Sequence, residues 1–231
     1  MIHQLIFAAP KPGMTEEEFQ RYWLDVHAVH YASKIPQIRR YAIDTRIARP
    51  DDRGEPLWSG IAEIWLENEE EQLASLQTPE FLEGARIDEP RWAAFWRTVV
   101  LDTDTEVVVP GVPEDTVQPG IKLVLLAKRR EGMSVEEFRR HSRQTHAPLV
   151  AQLPGLRRYY QSYTRDSWYG ISEPPFDAAY HVWFDGLESL RHAERSAQQA
   201  AVQDDYKNFL NEQYLHVLPV RQHWVIGPRA R

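Results

Sequence analysis

The chain repeats itself once, and no other feature restricts its fold as much. Met14-Thr15-Glu16-Glu17-Glu18-Phe19 returns as Met133-Ser134-Val135-Glu136-Glu137-Phe138, an offset of 119, and His27-Ala28 returns as His146-Ala147. After one residue is dropped, Ile35-Pro36-Gln37-Ile38-Arg39-Arg40-Tyr41 matches Leu153-Pro154-Gly155-Leu156-Arg157-Arg158-Tyr159 at an offset of 118, as Ile64-Trp65 matches Val182-Trp183. Matches that keep their order across 231 residues imply two copies of one structural plan. Between them, Val109 to Gly120 holds Pro110, Gly111, Pro113, Pro119 and Gly120 and little apolar periodicity, as a connector should. The repeats are therefore placed at 1–108 and 121–228, with 109–120 as linker.

Each repeat opens on a short apolar run, Gln4 to Phe7 or Leu123 to Leu126, that suits a buried strand. Thr15 with Glu18, and Ser134 with Glu137, then have capping-box spacing, which starts a helix by satisfying its orphan amides. Phe19, Tyr22, Trp23 and Val26 place an aromatic stripe on that helix. Strand-like runs follow at Arg40 to Arg46 and Gly60 to Leu66, and at Arg158 to Thr164 and Ala178 to Phe184. Helical regions come next at Glu69 to Leu76 and Leu187 to Glu194, with a Thr78-Pro79 helix start, and the last strands are expected at Thr105 to Val109 and Gln222 to Ile226. Each repeat reads as β-α-β-β-α-β, an α+β unit with helices on one sheet face. Two such sheets could pack face to face or close into a barrel lined by alternate strand residues.

Composition narrows the partners. Lysine plus arginine number 27 against 34 aspartate plus glutamate, a formal charge of −7, which argues against nucleic acid. Without cysteine there are no disulfides, thiolate metal sites, iron–sulfur clusters or cysteine nucleophiles. Met1 to Pro10 lacks the pattern of a signal or a membrane span, so a cytoplasmic protein off the membrane is expected. GxGxxG, Walker, GxSxG and HExxH patterns are all missing, leaving histidine, tyrosine and carboxylate chemistry, which suits proton transfer.

Alternation on the third strand of each repeat sets Glu63 and Trp65 against Ala62, Ile64 and Leu66, and His181 and Trp183 against Tyr180, Val182 and Phe184. The wholly apolar sets suit the helix side. By elimination Glu63, Trp65, His181 and Trp183 face the other way, either as groups around an organic substrate or as an exposed edge or hydrogen-bonded core pair. His27 and His146 recur near the end of the first helix, as acid–base groups or as partners of the helix dipole. His27 and His30 have HxxH metal spacing, but Leu149 stands near the matching place of the second repeat, and no metal site is expected. Tyr41 and Tyr159 start the second strand, where their hydroxyls could donate to a carbonyl or a developing oxyanion, or simply pack. Of the adjacent Arg39 and Arg40, and Arg157 and Arg158, at most one of each pair can point inward, and solvated charge is the default for all four.

The segments Met133 to Phe138, His146-Ala147-Pro148-Leu149 and Leu153 to Tyr159, with Trp183-Phe184-Asp185, resemble the EthD family. The first repeat shows the same order, but has Val29-His30 in place of Pro-Leu and Gln37 in place of glycine. The resemblance implies a tandem fusion of two ferredoxin-like repeats closing one dimeric α+β barrel within a single chain. That group includes cofactor-free dehydratases, cyclases and monooxygenases of aromatic or polyketide-like compounds, and distant members that bind haem through a histidine. The leading expectation is a cofactor-independent lyase, dehydratase or isomerase working by proton transfer on a small hydrophobic or aromatic substrate, as in aromatic-compound breakdown. In it His146 is the principal base, Tyr159 or His181 stabilises the enolate, and Trp183 forms a wall, with His27, Tyr41, Glu63 and Trp65 equivalent in the first repeat. The alternatives are a cofactor-free or haem-dependent oxidase or monooxygenase, and a non-catalytic small-molecule-binding accessory protein. An exposed strand or helix face could also make a homodimer.

Overall fold

A computed structural model describes residues 1–50, 52–112 and 120–229. Pro113 and Pro119 of the expected linker lie outside the described residues. Each repeat lays down β-α-β-β-α-β, with strands β1 (Ile2–Ala8), β2 (Arg40–Arg46), β3 (Gly60–Leu66) and β4 (Val99–Val109) in the first, and β5 (Ile121–Ala127), β6 (Leu156–Thr164), β7 (Ala178–Phe184) and β8 (His216–Ile226) in the second. The hydrogen-bonded strand order closes as a barrel, β1-β3-β2-β8-β5-β7-β6-β4. Among the described residues no helix is long and apolar enough to cross a membrane.

Two compact units divide the chain, Met1–Asp102 with Val220–Arg231, and Thr103–Pro219. They differ from the sequence repeats because each repeat's last strand is split between them. In the first unit β3 pairs with β1 and β2, and β2 pairs with residues 220–226 of β8. In the second, β7 pairs with β5 and β6, and β6 pairs with residues 103–109 of β4. At 11 residues β4 and β8 are longer than the other strands and begin six residues ahead of the expected starts at Thr105 and Gln222. The alternating Asp102-Thr103-Asp104-Thr105 has too little apolar content to signal a strand.

The capping boxes form as the spacing predicts. Glu18 N–H donates to Thr15 Oγ1 at 3.2 Å while Thr15 N–H donates to Glu18 Oε2 at 2.9 Å, and Ser134 and Glu137 make the same pair of bonds. Each helix then widens at one place, into π-turns over Trp23–His27 and Ser142–His146. A π-turn inserts one residue into the helical ladder and rotates the residues beyond it, so its recurrence at both histidines is part of the plan that the repeats share.

Against the helices, the first unit's sheet presents Tyr41 and Ile43 from β2 and Ala62, Ile64 and Leu66 from β3, packed on Phe19, Trp23 and Trp92. The indoles of Trp23 and Trp92 lie 4.9 Å apart, and Phe19 lies 5.3 Å from Trp23. The second unit solves the same packing differently. Ser142 stands where Trp23 stood and Tyr180 where Ala62 stood, so bulk lost from the helix returns from the sheet. The Tyr180 hydroxyl shares a hydrogen with Ser142 Oγ at 2.8 Å. Gln161, matching Ile43, donates to the Tyr159 hydroxyl at 2.6 Å and accepts from Tyr163 at 2.6 Å. This core is built around satisfied hydroxyl and amide groups, as burial requires.

Candidate functional site

The sheet of each unit has two faces, and it separates the residues expected to act together. On the helix face lie His27 and Tyr41 in the first unit and His146 and Tyr159 in the second. Glu63 and Trp65, and His181 and Trp183, point from the opposite face, as the alternation predicts.

The helical histidines are pinned. His27 Nδ1 lies 2.9 Å from Asp88 Oδ2, whose other oxygen accepts from the Tyr22 hydroxyl at 2.8 Å. His146 Nδ1 lies 3.0 Å from Asp205 Oδ2, and His141 Nε2 lies 2.8 Å from Oδ1. Trp92 covers His27 at 4.7 Å, and Phe209, Tyr206 and Tyr180 surround His146 at 4.8–5.8 Å. These are buried cross-links that tie the first helix to the later helical segment. His146 and Tyr159 therefore sit across the sheet from His181 and Trp183, and one site cannot hold all four as expected. Tyr41 and Tyr159 are buried core residues, and burial pushes both phenols well above the usual tyrosine value. His30 is exposed while His27 is buried, so the HxxH pair presents no common metal-binding face. A carboxylate on Nδ1 would suit a histidine that ligates through Nε2, but His27 and His146, 6% and 2% exposed with their rings packed among aromatic neighbours, leave no open side for a haem.

Burial lowers the pKa of His27 and of His146 below 6.5, against the pull of Asp88 and Asp205 in the other direction. Below about 6.5 the unfolded chain thus binds more protons than the folded one, so these residues' contribution is complete above that value and is lost as pH falls through the lowered folded values. A urea midpoint that drops between about pH 7 and about pH 5, and drops less in the His27→Gln/His146→Gln double variant, is the expected result. Equal pH dependence in both proteins would contradict it.

The opposite face is organised in cross-strand rows. In the first unit His3, Trp65 and Arg40 stand side by side on β1, β3 and β2. The His3 imidazole stacks on Trp65 at 4.3 Å with 8° between planes, and Arg40 lies over Trp65 and Trp224 at 4.5 and 4.9 Å. Glu63, one row on, lies 3.0 Å from His3 Nε2 and accepts from Gln222 at 2.7 Å. In the second unit the matching row is Lys122, Trp183 and Arg158 on β5, β7 and β6. Lys122 Nζ lies 4.9 Å and the Arg158 guanidinium 5.4 Å from the Trp183 ring. His181 stacks on Trp183 at 6.0 Å and 22°, with Nε2 3.1 Å from Ser162 Oγ.

His3, Lys122, Gln222 and the inward Arg40 and Arg158 went unrecognised as site residues in the sequence. Arg39 and Arg157 do face outward, Arg157 onto Asp185 at 2.9 Å, whereas Arg158 is 3% exposed. Solvated charge is therefore the wrong reading for Arg158, because the second arginine of the pair shares Trp183's face. The available signal was Lys122 itself, a lysine inside the apolar run Ile121 to Ala127 at the repeat position of His3.

Two ferredoxin-like repeats in a closed strand order, each with a cation–indole row on the face away from its helices, define a fused α+β barrel protein. Both repeats match the EthD domain model, over residues 11–95 and 130–213, and the chain belongs to the EthD family. No curated protein matches the chain. Among solved structures, an anthrone oxidase-like protein is similar at TM-score 0.66 and 10% identity, covering 96% of this chain and 92% of its own. A Lactobacillus acidophilus protein provisionally named a monooxygenase reaches 0.56 at 12% identity, over 100% and 97%. A chlorite dismutase variant from Candidatus Nitrospira defluvii reaches 0.54 at 10%, over 96% and 90%. At these identities the likeness is one of fold.

Proposed function

We propose that the protein is an enzyme that moves a proton on a small aromatic, phenol- or enol-type substrate. His181 is its acid–base group, and Trp183 is the wall on which the substrate's ring lies. One observation carries this reading: His181, 1% exposed, is stacked beside Trp183 and held through Nε2 by Ser162, so a titratable imidazole is fixed next to an aromatic surface. With Nε2–H donating to Ser162 Oγ, the Nδ1 lone pair is the base, and the returned proton makes it the acid. The nearby cations of Lys122 and Arg158 favour the enolate or phenolate that forms.

A second reading comes from the fold's company. Proteins named as anthrone oxidase-like or provisionally as monooxygenases share it, and an electron-rich phenolate is the species that oxygen attacks without a cofactor. Proton removal opens both reactions. Incubation of phenolic and enolisable aromatics in deuterated water, followed by NMR with and without oxygen, separates them. Exchange or product in the absence of oxygen supports the lyase or isomerase reading, and strictly oxygen-dependent consumption supports the oxidative one. Saturable binding with neither exchange nor product would contradict catalysis and leave a binding protein.

A further inference from the structure

On the helix side of the second unit, a cleft of about 310 Å³ opens between the turn that follows β5 and the first helix, Val135–His141, with the π-turn beyond it. The sheet separates it from His181 and Trp183. Its cations are Arg130 and Arg140, and Glu137 is the one carboxylate among the described residues that line it. Ser134 engages that carboxylate through its N–H and Oγ, at 2.9 and 2.8 Å. The neighbouring Arg139 and Arg143 are paired with Asp166 and Glu106 at 2.7 and 2.5 Å. Arg130 and Arg140, by contrast, make no ion pair among the described residues, and act on Glu137 only as charges beyond contact distance.

The repeat offset of 119 supplies an internal comparison. Lys11, Glu18 and Arg21 match Arg130, Glu137 and Arg140, so two cations and one carboxylate are common to both repeats. Three positions change: Tyr22, Asp25 and Val26 give way to His141, Gln144 and Thr145. The first repeat therefore sets two carboxylates against two cations, while the second sets one against two and gains a hydroxyl, an amide and an imidazole. Asp205 lies behind His141, 5% exposed, and its oxygens are taken by His141, His146 and Asn208 at 2.8–3.0 Å, so its charge is directed into the helix cross-link. Two guanidiniums with further donors beside them suit a group that offers more than two anionic oxygens, which is a phosphate. The cleft is also large enough for an organic portion attached to it.

We infer that this outer cleft of the second repeat binds a phosphate group through Arg130 and Arg140, with Gln144 and Thr145 donating beside them. Titration calorimetry of the full chain with glycerol phosphate, inorganic phosphate and glycerol tests it, at about 0.15 M salt so that general attraction of anions is screened. A phosphate ligand is expected to saturate one site and glycerol to give no binding heat. Tighter binding of glycerol phosphate identifies a small phosphomonoester as the ligand, and equal or tighter binding of inorganic phosphate identifies the free ion. Arg140→Met is expected to weaken binding at least about tenfold, and Gln144→Asp, which restores the first repeat's acid, about threefold. Arg21→Met, the matched change in the first repeat, is expected to leave binding as it was. All three positions are exposed, so these variants read the cleft and not the core. Absence of saturable binding by either phosphate, binding that Arg140→Met leaves intact, or an equal loss in Arg21→Met would overturn the inference.

Discussion

Trp23→Ala is expected to destabilise the first unit by about 3–5 kcal/mol, the range for removing a large aromatic side chain from a packed core. Trp23 is 2% exposed and touches the rings of both Phe19 and Trp92. Gly60 accommodates it: a Cβ there would lie 3.0 Å from the Trp23 ring and 2.8 Å from Asp44 O, so the strand cannot supply the missing bulk with a small substitution. The second repeat makes the loss specific. Its serine at this position is tolerated because Tyr180 fills the space from β7 and shares a hydrogen with Ser142, whereas the first repeat has only Ala62 there. A urea titration should therefore show a large fall for Trp23→Ala and partial recovery when Ala62→Tyr is added to Trp23→Ser. A cost below about 1 kcal/mol would mean that the two cores are not alternative solutions of one packing problem.

Asp205→Ala is expected to cost about 3 kcal/mol, since it removes a buried, charged acceptor and leaves the His146 Nδ1–H without its bond. Burial alone would push the Asp205 carboxyl up. The bonds from His146, Asn208 and His141 outweigh burial and hold it below the usual aspartate range, which shows how strongly the ionised form is favoured. Asp205→Asn keeps an acceptor in place and should cost less than Asp205→Ala. Equal losses, read from urea midpoints at pH 7, would show that charge contributes little to the cross-link.

Much of the fold was legible in the sequence because local signals recur. The capping boxes at Thr15 and Ser134 locate the first helices, and strict alternation on β3 and β7 places Glu63, Trp65, His181 and Trp183 on one side of their sheets. The site was less legible. On β2 the run Tyr41-Ala42-Ile43 is apolar on both faces, so its hydroxyl could be read as chemistry when the side chain belongs to the core. Recurrence of His27 and His146 signals shared importance, but a buried histidine–aspartate cross-link recurs as faithfully as a catalytic base. Its partners Asp88 and Asp205 lie about sixty residues on, in helical segments where the repeats match poorly. Lys122 was hidden because a charge in an apolar run reads as a strand's edge, although cross-strand register puts it beside Trp183.

The central claim is that chemistry belongs to the face of His181 and Trp183, while His146 holds the helices to each other. Turnover and urea stability of His181→Gln and His146→Gln, measured side by side on one substrate, test it most directly. The account predicts that His181→Gln loses about 100-fold or more in turnover with a native circular dichroism spectrum, and that His146→Gln loses stability but keeps its turnover per folded molecule. Turnover that collapses in folded His146→Gln and survives in His181→Gln would contradict it.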